Sequence, residues 1–500
     1  MKALPLVRHN IIANYSGRAW TSLLSLAFVP LYIKLMGVEV YGLLGIFMSL
    51  GALLSLLDIG LSATLSRELS RLSTVDDSAQ EARNLVRTFE VVYWGTGVVI
   101  GIAVVLLAPL IARYWINSGE VGRETVEYAL MIMGMSIAFQ WPGGLYSGGL
   151  MGLQRQVVLN VIRSSMVTLQ HVGALLVLLL ISPTILAFFF WQSFVGLLTT
   201  IALGVWVWRS LPESRLVAKF ERLLLVKSWR FATGMTGISL VTMLLTQLDK
   251  IILSRMLSLE AFGYYMLAFN VANSLNNFSF PIYSALLPKF TQLVASGDMN
   301  GLASLYHKGA RLLSALMLPV ATTVIFFSNE ILALWLNDPV VSENVQPILV
   351  LLMIGTAFNA MMVVPFSLQL AHGWTRFSIY KNLIASVFLV PLLLVLINRY
   401  QGIGAAIVWF ILNLGYLALE VPIMHRRLLT TEMRNWYQRD IIQPLLLVTV
   451  VTLFFYMALP DHASRLITFS WILIALMFSF AVAAWSTGYL GFKKLMAGAS

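Results

Sequence analysis

Apolar stretches recur along the chain at the length of membrane-spanning helices. A helix needs about 20 apolar residues to cross about 30 Å of hydrocarbon, and this pattern predicts roughly fourteen spans. We therefore expect an all-α polytopic membrane protein. The predicted spans are 12–35, 41–66, 86–112, 125–150, 158–181, 184–208, 229–254, 261–288, 306–328, 345–371, 378–398, 402–424, 441–459 and 465–488.

Two halves of the chain resemble each other when the sequence is shifted by 221 residues. The shift places MGVEVYG (36–42) on LSLEAFG (257–263) and GLQR (152–155) on GWTR (373–376). Because six spans return the chain to the same side, both halves have one orientation and are related by an axis along the membrane normal. We predict two six-helix lobes, 1–221 and 222–440, followed by two additional helices in 441–500.

Composition agrees with a chain solvated by lipid. Apolar residues make up 59% of the sequence, charged residues 11%, and the mean hydropathy is +0.83. The chain has no cysteine, which excludes disulfides and thiolate chemistry. Of the 33 bases, 24 fall in one set of alternating loops, 6 in the other set and 3 within spans. This bias predicts that both termini are cytoplasmic, and it explains the net charge of +11 without a nucleic-acid partner.

Polar and charged residues interrupt several spans. Asp249 and Lys250 end a stripe of Ser and Thr on span seven. Neighbouring helical side chains point about 100° apart, so each is expected to need another partner, water or a route to the interface. Similar stripes mark spans one, two, five and eight. The candidate binding residues are Asn14, Arg18, Asp58, Arg163, Lys250, Asn270, Asn273 and Asn277, and Asp249, Pro30 and His171 are candidates for gating or coupling.

Each of these residues also has a purely structural interpretation. Ser, Thr and Gly stripes, such as Gly144, Gly148 and Gly152, mediate helix packing. Charges within spans line a water-filled cavity or form structural ion pairs. His171 is compatible with a proton relay or a satisfied interior histidine, and Pro30 with a gating bend or a plain kink. If a cavity exists, its cations suit a phosphate group, and its amides and hydroxyls suit sugars.

Several stretches resemble the bacterial polysaccharide flippases of the multidrug/oligosaccharidyl-lipid/polysaccharide exporter superfamily. They are PLYIKLMGVEVYGLLGIFMSLGALLSLLDIGLSATLSREL (30–69), GLQRQVVLN (152–160), LDKIILSRMLSLEAFGYY (248–265) and LAHGWTRFSIYKN (370–382). The resemblance implies a transporter of the bacterial inner membrane that flips undecaprenyl-diphosphate-linked oligosaccharide to the periplasmic leaflet by alternating access. It implies no cofactor, but coupling to an ion gradient or the membrane potential. Arg18, Lys250 and Arg163 are the positions that match pyrophosphate-binding cations, and Arg67 the position for inter-lobe gating.

Other functions fit parts of the same pattern. A drug/cation antiporter of the superfamily would rely on carboxylates, and a peptidoglycan-precursor flippase would need the same pyrophosphate chemistry. A membrane polymerase or ligase would carry a sizeable outward loop, and all predicted outward loops are short. We therefore expect a transporter, not an enzyme, for O-antigen, capsule or exopolysaccharide synthesis. Its expected partners are the lipid-linked oligosaccharide, membrane lipids, and polymerase and chain-length proteins of the same pathway.

Overall fold

The structure is a computed structural model that describes residues 16–17, 20–58, 60–73, 75, 78–226, 247–460 and 463–488. These residues are almost entirely helical, and the only β pairing among them is an isolated bridge between Asn117 and Ser258. Eight of the described helices are long and apolar enough to cross a membrane. The all-α polytopic class is therefore confirmed, while the number fourteen stays a prediction.

The chain divides into two compact units, 1–263 and 264–500. This division does not test the predicted lobe boundaries at 221 and 440, which stay predictions. Within the first unit most described helices follow one another through short connections. They are α1 (20–27), α2 (Val29–Met36), α3 (Glu39–Leu54), α4 (Leu61–Leu72), α5 (Ala79–Tyr114), α6 (Arg123–Gly152), α7 (Gln156–Leu180), α8 (Ile185–Ser210) and α9 (247–256). The last two, α8 and α9, are separated by residues 211–246, of which 211–226 are described and 222–226 are helical.

The second unit begins inside α10 (Leu259–Asn273). It includes two short π-helical segments, Tyr416–Glu420 and Trp436–Ile442. The remaining helices are α11 (Asn276–Ser296), α12 (Met299–Phe326), α13 (Ser328–Leu336), α14 (Pro339–Met361), α15 (Val363–Ala371), α16 (Thr375–Gly415), α17 (Val421–Arg427), α18 (Met433–Asn435), α19 (Gln443–Met457) and α20 (Arg465–Ser486).

Two breaks in the helices shape these spans. The second predicted span is interrupted, because α3 passes into a 3₁₀-helix, Ser55–Asp58, and α4 restarts after Gly60 with a φ of 71°. In α16 the backbone of Gln401 leaves the helical region with a φ of 50° and a ψ of −129°. That residue lies between predicted spans eleven and twelve, so α16 consists of two helices joined by a sharp turn.

Glycines allow close packing in the first unit. A Cβ added to Gly148 would lie 2.5 Å from the carbonyl oxygen of Ser62, and one on Gly152 would lie 2.4 Å from that of Ser66. Only a residue without a side chain lets α4 approach α6 this closely. The packing interpretation of this glycine row is therefore confirmed at both positions.

The two repeated segments 36–42 and 257–263 contact each other reciprocally. A Cβ on Gly42 would lie 2.4 Å from the carbonyl oxygen of Leu259, and a Cβ on Gly263 would lie 2.4 Å from that of Val38. The shift of 221 residues converts Val38 into Leu259 and Gly42 into Gly263. The contact thus joins equivalent positions of the two copies, as in an isologous interface.

Candidate functional site

Asp58 lies at the break in the second predicted span. Its Oδ1 accepts a hydrogen bond of 2.7 Å from the Ser62 hydroxyl and another from the Tyr93 hydroxyl. The hydroxyls of Ser62 and Tyr93 are themselves 2.8 Å apart. A discontinuous helix leaves polar backbone and side-chain groups inside the membrane region, and such breaks commonly form transporter binding sites. The sequence predicted Asp58, but it did not predict its partner Tyr93.

Arg163 reaches the same part of α6 from α7. Its Nη2 donates a hydrogen bond of 3.0 Å to Ser147 Oγ. Ser147 adjoins Gly148, the residue against which the backbone of Ser62 packs. Two predicted residues therefore touch the same turn of α6 indirectly: Arg163 bonds to Ser147, and the Ser62 that bonds to Asp58 packs its backbone against Gly148.

The first predicted span packs along α7 through polar and aromatic contacts. The Trp20 indole donates to Thr168 Oγ1 at 3.0 Å, and the Tyr32 hydroxyl lies 3.0 Å from His171 Nδ1. The ring of His171 also stacks on Phe28, with 5.3 Å between centroids. His171 is thus a hydrogen-bonded, packed residue, and its proposed part in coupling stays a prediction.

Pro30 lies in the first turn of α2. Only Phe28 separates α1 from α2, and its backbone stays in the helical region with a φ of −88° and a ψ of −10°, so a gating bend at Pro30 stays a prediction. Proline fits this position because it needs no donor there. Asn14 and Arg18 lie outside the described residues, and their nearest described neighbour, Gly17, packs against Asn160 of α7.

Asp249 and Lys250 are in contact, although they are adjacent on α9. The Lys250 Nζ lies 3.3 Å from Asp249 Oδ1, and the lysine side chain is only 6% exposed. The long lysine stem bends far enough to reach its neighbour, which the 100° angular separation did not predict. Asp249 and Lys250 therefore form an ion pair with each other. The charge of Lys250 is thus partly neutralised by its neighbour.

Asn270, Asn273 and Asn277 lie around a break between α10 and α11. Asn273 Oδ1 accepts a hydrogen bond of 3.0 Å from Asn276, Asn273 and Asn277 are exposed, and Asn270 is half-buried. The interruption at Ser274 and Leu275 is the second place where a predicted span is broken near its polar stripe.

Arg67 lies in the last turns of α4, beyond the end of the second predicted span. Its Nη2 lies 2.6 Å from Glu68 Oε1, and Arg71 contacts the same carboxylate at 2.9 Å. Burial alone would raise the pKa of Glu68, but the hydrogen bonds and charges of both arginines lower it below its ordinary value. Arg67 is therefore held in a local ion-pair cluster, and its role in gating stays a prediction.

A buried carboxylate that the sequence did not single out lies in α5. Glu90 accepts hydrogen bonds of 2.5 Å from Tyr146 and 3.2 Å from Trp208, and Arg87 lies 2.7 Å away. Glu90 lies near the start of a predicted span, where an acid is expected at the membrane interface. Hydropathy therefore gave no reason to select it as a candidate site residue. Its indole and phenol donors come from helices distant in sequence.

The second unit holds a buried ion pair between Lys381 and Glu420. Gln369 donates to the other oxygen of Glu420 at 2.8 Å, and Lys381 lies over the ring of Tyr416, 4.5 Å from its centroid. Glu420 is 3% exposed and ends a π-helical segment, a distortion frequent at functional sites. The sequence places Lys381 at the start of predicted span eleven and gave no reason to select it; the structure places it within α16, paired and mostly buried.

A second buried acid of this unit, Asp440, joins the C-terminal helices to α12. Arg311 Nε lies 2.8 Å from its Oδ1, and His307 contacts its other oxygen. His307 also lies 3.0 Å from Glu432, which is outside the predicted spans. Hydrogen bonds from Asn435 and His307 lower the pKa of Glu432. This cluster links α12 to the segment that precedes α19 and α20.

Buried, fully hydrogen-bonded charges inside long apolar helices are typical of membrane transporters. The described parts of the chain show such groups in each unit, together with interrupted spans. The fold is also that of solved transporters. It superposes on the structure of "Lipid II flippase MurJ, inward closed conformation" with a TM-score of 0.65 at 14% identity, covering 97% of this chain and 99% of that one. A multidrug resistance MATE family transporter of the MOP superfamily, inward-facing, matches with a TM-score of 0.60 at 14% identity over 84% and 96% of the two chains.

Sequence comparison is more specific. The family model described as "Polysaccharide biosynthesis protein" matches residues 7–294, and the MatE model matches residues 235–395. A protein of Shigella flexneri described as "Putative O-antigen transporter" is 22% identical over 408 residues, which is 80% of this chain and 94% of that protein. This chain belongs to the polysaccharide biosynthesis protein family, within the MOP superfamily of multi-pass membrane transporters. The relatives named here are transporters and flippases, in agreement with the prediction of transport instead of catalysis.

Proposed function

We propose that the protein flips undecaprenyl-diphosphate-linked oligosaccharide units from the cytoplasmic to the periplasmic leaflet of the bacterial inner membrane. Asp58, Arg163 and the Asp249–Lys250 pair would contact the diphosphate and its first sugars, and the lipid tail would stay in the bilayer. Coupling to an ion gradient or to the membrane potential would drive the cycle. Both termini would lie in the cytoplasm, where the basic loops are expected.

The observation that supports this proposal most is that Arg163 and Ser62, the hydrogen-bond partner of Asp58, both contact one turn of α6, in a chain of the polysaccharide biosynthesis family. Guanidinium groups bind phosphates by charge-assisted hydrogen bonds, and carboxylates and hydroxyls accept and donate to sugar hydroxyls. A headgroup that is anionic at one end and rich in hydroxyls at the other suits this combination better than a purely cationic or apolar substrate.

The test is leaflet exchange in proteoliposomes that contain a polyprenyl-diphosphate oligosaccharide whose terminal sugar is cleaved by a glycosidase added outside. We expect wild-type protein to expose the sugar, and Asp58→Asn and Arg163→Gln to slow exchange by about tenfold or more, equivalent to ~1.4 kcal/mol. Arg113→Gln is the matched control, since Arg113 is exposed and only stacks on Tyr114. Exchange at the protein-free rate in wild-type vesicles, or equal rates in all variants, would contradict the proposal.

A second candidate function is export of lipophilic cations. The MatE match over residues 235–395 and the carboxylate of Asp58 favour it. The same vesicles, loaded with a fluorescent lipophilic cation and given a pH or sodium gradient, separate the two functions. Cation transport that Asp58→Asn abolishes, without any exchange of the diphosphate lipid, would replace the first proposal with this one.

A further inference from the structure

A groove on the outer surface of the first unit lies between α5 and α8. Its volume is about 470 Å³, within the range of small-molecule sites. Trp94 lines one side, Tyr146 of α6 forms the floor, and Gly204 leaves space because the Tyr146 ring lies 3.1 Å from where its Cβ would be. Ile201 and Val205 on the other side are 49% and 42% exposed. Exposed aliphatic side chains in a membrane-spanning helix face lipid, so the groove opens to the bilayer.

Arginines surround one end of this groove. Arg209 lines it in the last turn of α8 and is exposed. The Arg83 guanidinium lies over the Trp208 ring at 5.4 Å and donates from Nη1 to the carbonyl oxygen of Pro212 at 3.4 Å, while its Nε is buried without a hydrogen-bond partner among the described residues. Arg87 pairs with Glu90, which neutralises both. The positive charge of Arg83 and Arg209 is therefore left to attract an anion at this end, where the helices reach the predicted cytoplasmic surface.

The segment that follows α8 has the character of a membrane-surface element. Residues 211–221 run back along the first turns of α5, where Lys219 N donates to Asn84 Oδ1 at 2.9 Å and Glu221 N donates to Thr88 Oγ1 at 2.9 Å. Leu216 and Val217 are 66% and 80% exposed in spite of being apolar. Such side chains, placed beside basic residues, insert at the boundary between headgroups and acyl chains.

We propose that this groove is a binding site for one anionic phospholipid of the cytoplasmic leaflet. An acyl chain lies between α5 and α8 over Tyr146, and the headgroup phosphate lies against Arg83 and Arg209. Trp94 and Trp208 flank the lipid as amphipathic aromatic residues do at membrane interfaces. The site is separate from the Asp58 cluster and does not depend on the proposed function. Its occupant is a structural or regulatory lipid, not the transported substrate.

Native mass spectrometry of the full-length protein in detergent tests the site, with phosphatidylglycerol or phosphatidylcholine added in turn. We expect wild-type protein to retain phosphatidylglycerol preferentially, and the double variant Arg83→Gln/Arg209→Gln to lose about tenfold of that preference or more, because each base near an anionic headgroup contributes to binding. Arg113→Gln, which removes an exposed arginine elsewhere on the first unit, should retain the preference.

A second variant keeps the charges and fills the groove. Val205→Trp places an indole on an exposed position that lines it, so folding is spared and the acyl chain is excluded. We expect this variant to lose bound phosphatidylglycerol although both arginines remain. Equal retention of the two lipids by wild-type protein, or unchanged phosphatidylglycerol retention in either the double variant or Val205→Trp, would overturn the proposal.

Discussion

The reciprocal contact of Gly42 with Leu259 and of Gly263 with Val38 gives a direct test of whether close glycine packing holds segments 36–42 and 257–263 together. A methyl group on Gly42 would lie 2.4 Å from the carbonyl oxygen of Leu259, and ordinary contact begins at 3.4 Å. The backbones must therefore separate by about 1 Å to admit one methyl group. Overpacking of this kind typically costs ~1–3 kcal/mol. If closure is a two-state equilibrium, Gly42→Ala should shift it toward the open state by about 5- to 150-fold.

The absence of cysteine from the sequence makes accessibility labelling direct. Val38 is 6% exposed at this contact, and Val38→Cys introduces a single thiol of similar size. We expect a membrane-impermeant maleimide to modify this thiol slowly in the parent protein and faster after Gly42→Ala. Gly263→Ala should have the same effect, since the repeat relates the two positions.

Gly51→Ala is the matched control for this experiment. Gly51 lies in the same helix, α3, and a Cβ there would have no neighbour within 4 Å among the described residues. Both substitutions change helix propensity equally, so a difference between them reports only the contact. Identical labelling rates in the Gly42→Ala and Gly51→Ala backgrounds would refute the reasoning that the glycine contact holds segments 36–42 and 257–263 together.

Three further predictions concern the charged clusters of the two units. Ser62→Ala should slow leaflet exchange less than Asp58→Asn, because Asp58 keeps the Tyr93 donor when Ser62 loses its hydroxyl; equal losses would contradict the cluster as drawn. Glu420→Gln should destabilise the protein by ~3–5 kcal/mol, because it leaves the buried Lys381 charge unpaired, whereas the double variant with Lys381→Met should recover part of the loss in thermal unfolding. The Glu68 carboxylate, whose pKa is lowered, stabilises the fold at neutral pH, and this contribution is lost as the pH falls below its ordinary value of 4.5. Glu68→Gln should therefore make the unfolding temperature depend less on pH between about pH 5 and pH 3, and an unchanged acid dependence would exclude this role.

Hydropathy and residue spacing predicted much of the architecture because both act locally. Apolar runs defined the helices, the glycines of α6 marked a close helix contact, and the residues between spans eleven and twelve gave the turn at Gln401. The +221 register also selected segments that the structure places against each other. In each case the signal lies in one short stretch or in two stretches related by a fixed shift.

Pairing between distant stretches was not predictable in the same way. Lys381 and Glu420 are 39 residues apart and share no periodic pattern, and a lysine near the end of a span is indistinguishable from a loop lysine by hydropathy. Glu90 was missed for the same reason, since its donors Tyr146 and Trp208 lie on other helices. Which polar groups satisfy one another depends on tertiary packing, and a single sequence does not record it.

The reciprocal glycine contact also explains why duplication suits a transporter of this kind. When two copies of one segment meet through equivalent residues, a rotation about the axis that relates them separates Gly42 from Leu259 and Gly263 from Val38 together. Under the proposed alternating access, the contact would be made in one state and lost in the other. Asp249 and Lys250 lie in α9, which is followed directly by the repeated segment 257–263. Under the proposed function, a movement that parts the glycines would also move the charged pair, because only a few residues of continuous chain separate Lys250 from the segment that contains Gly263.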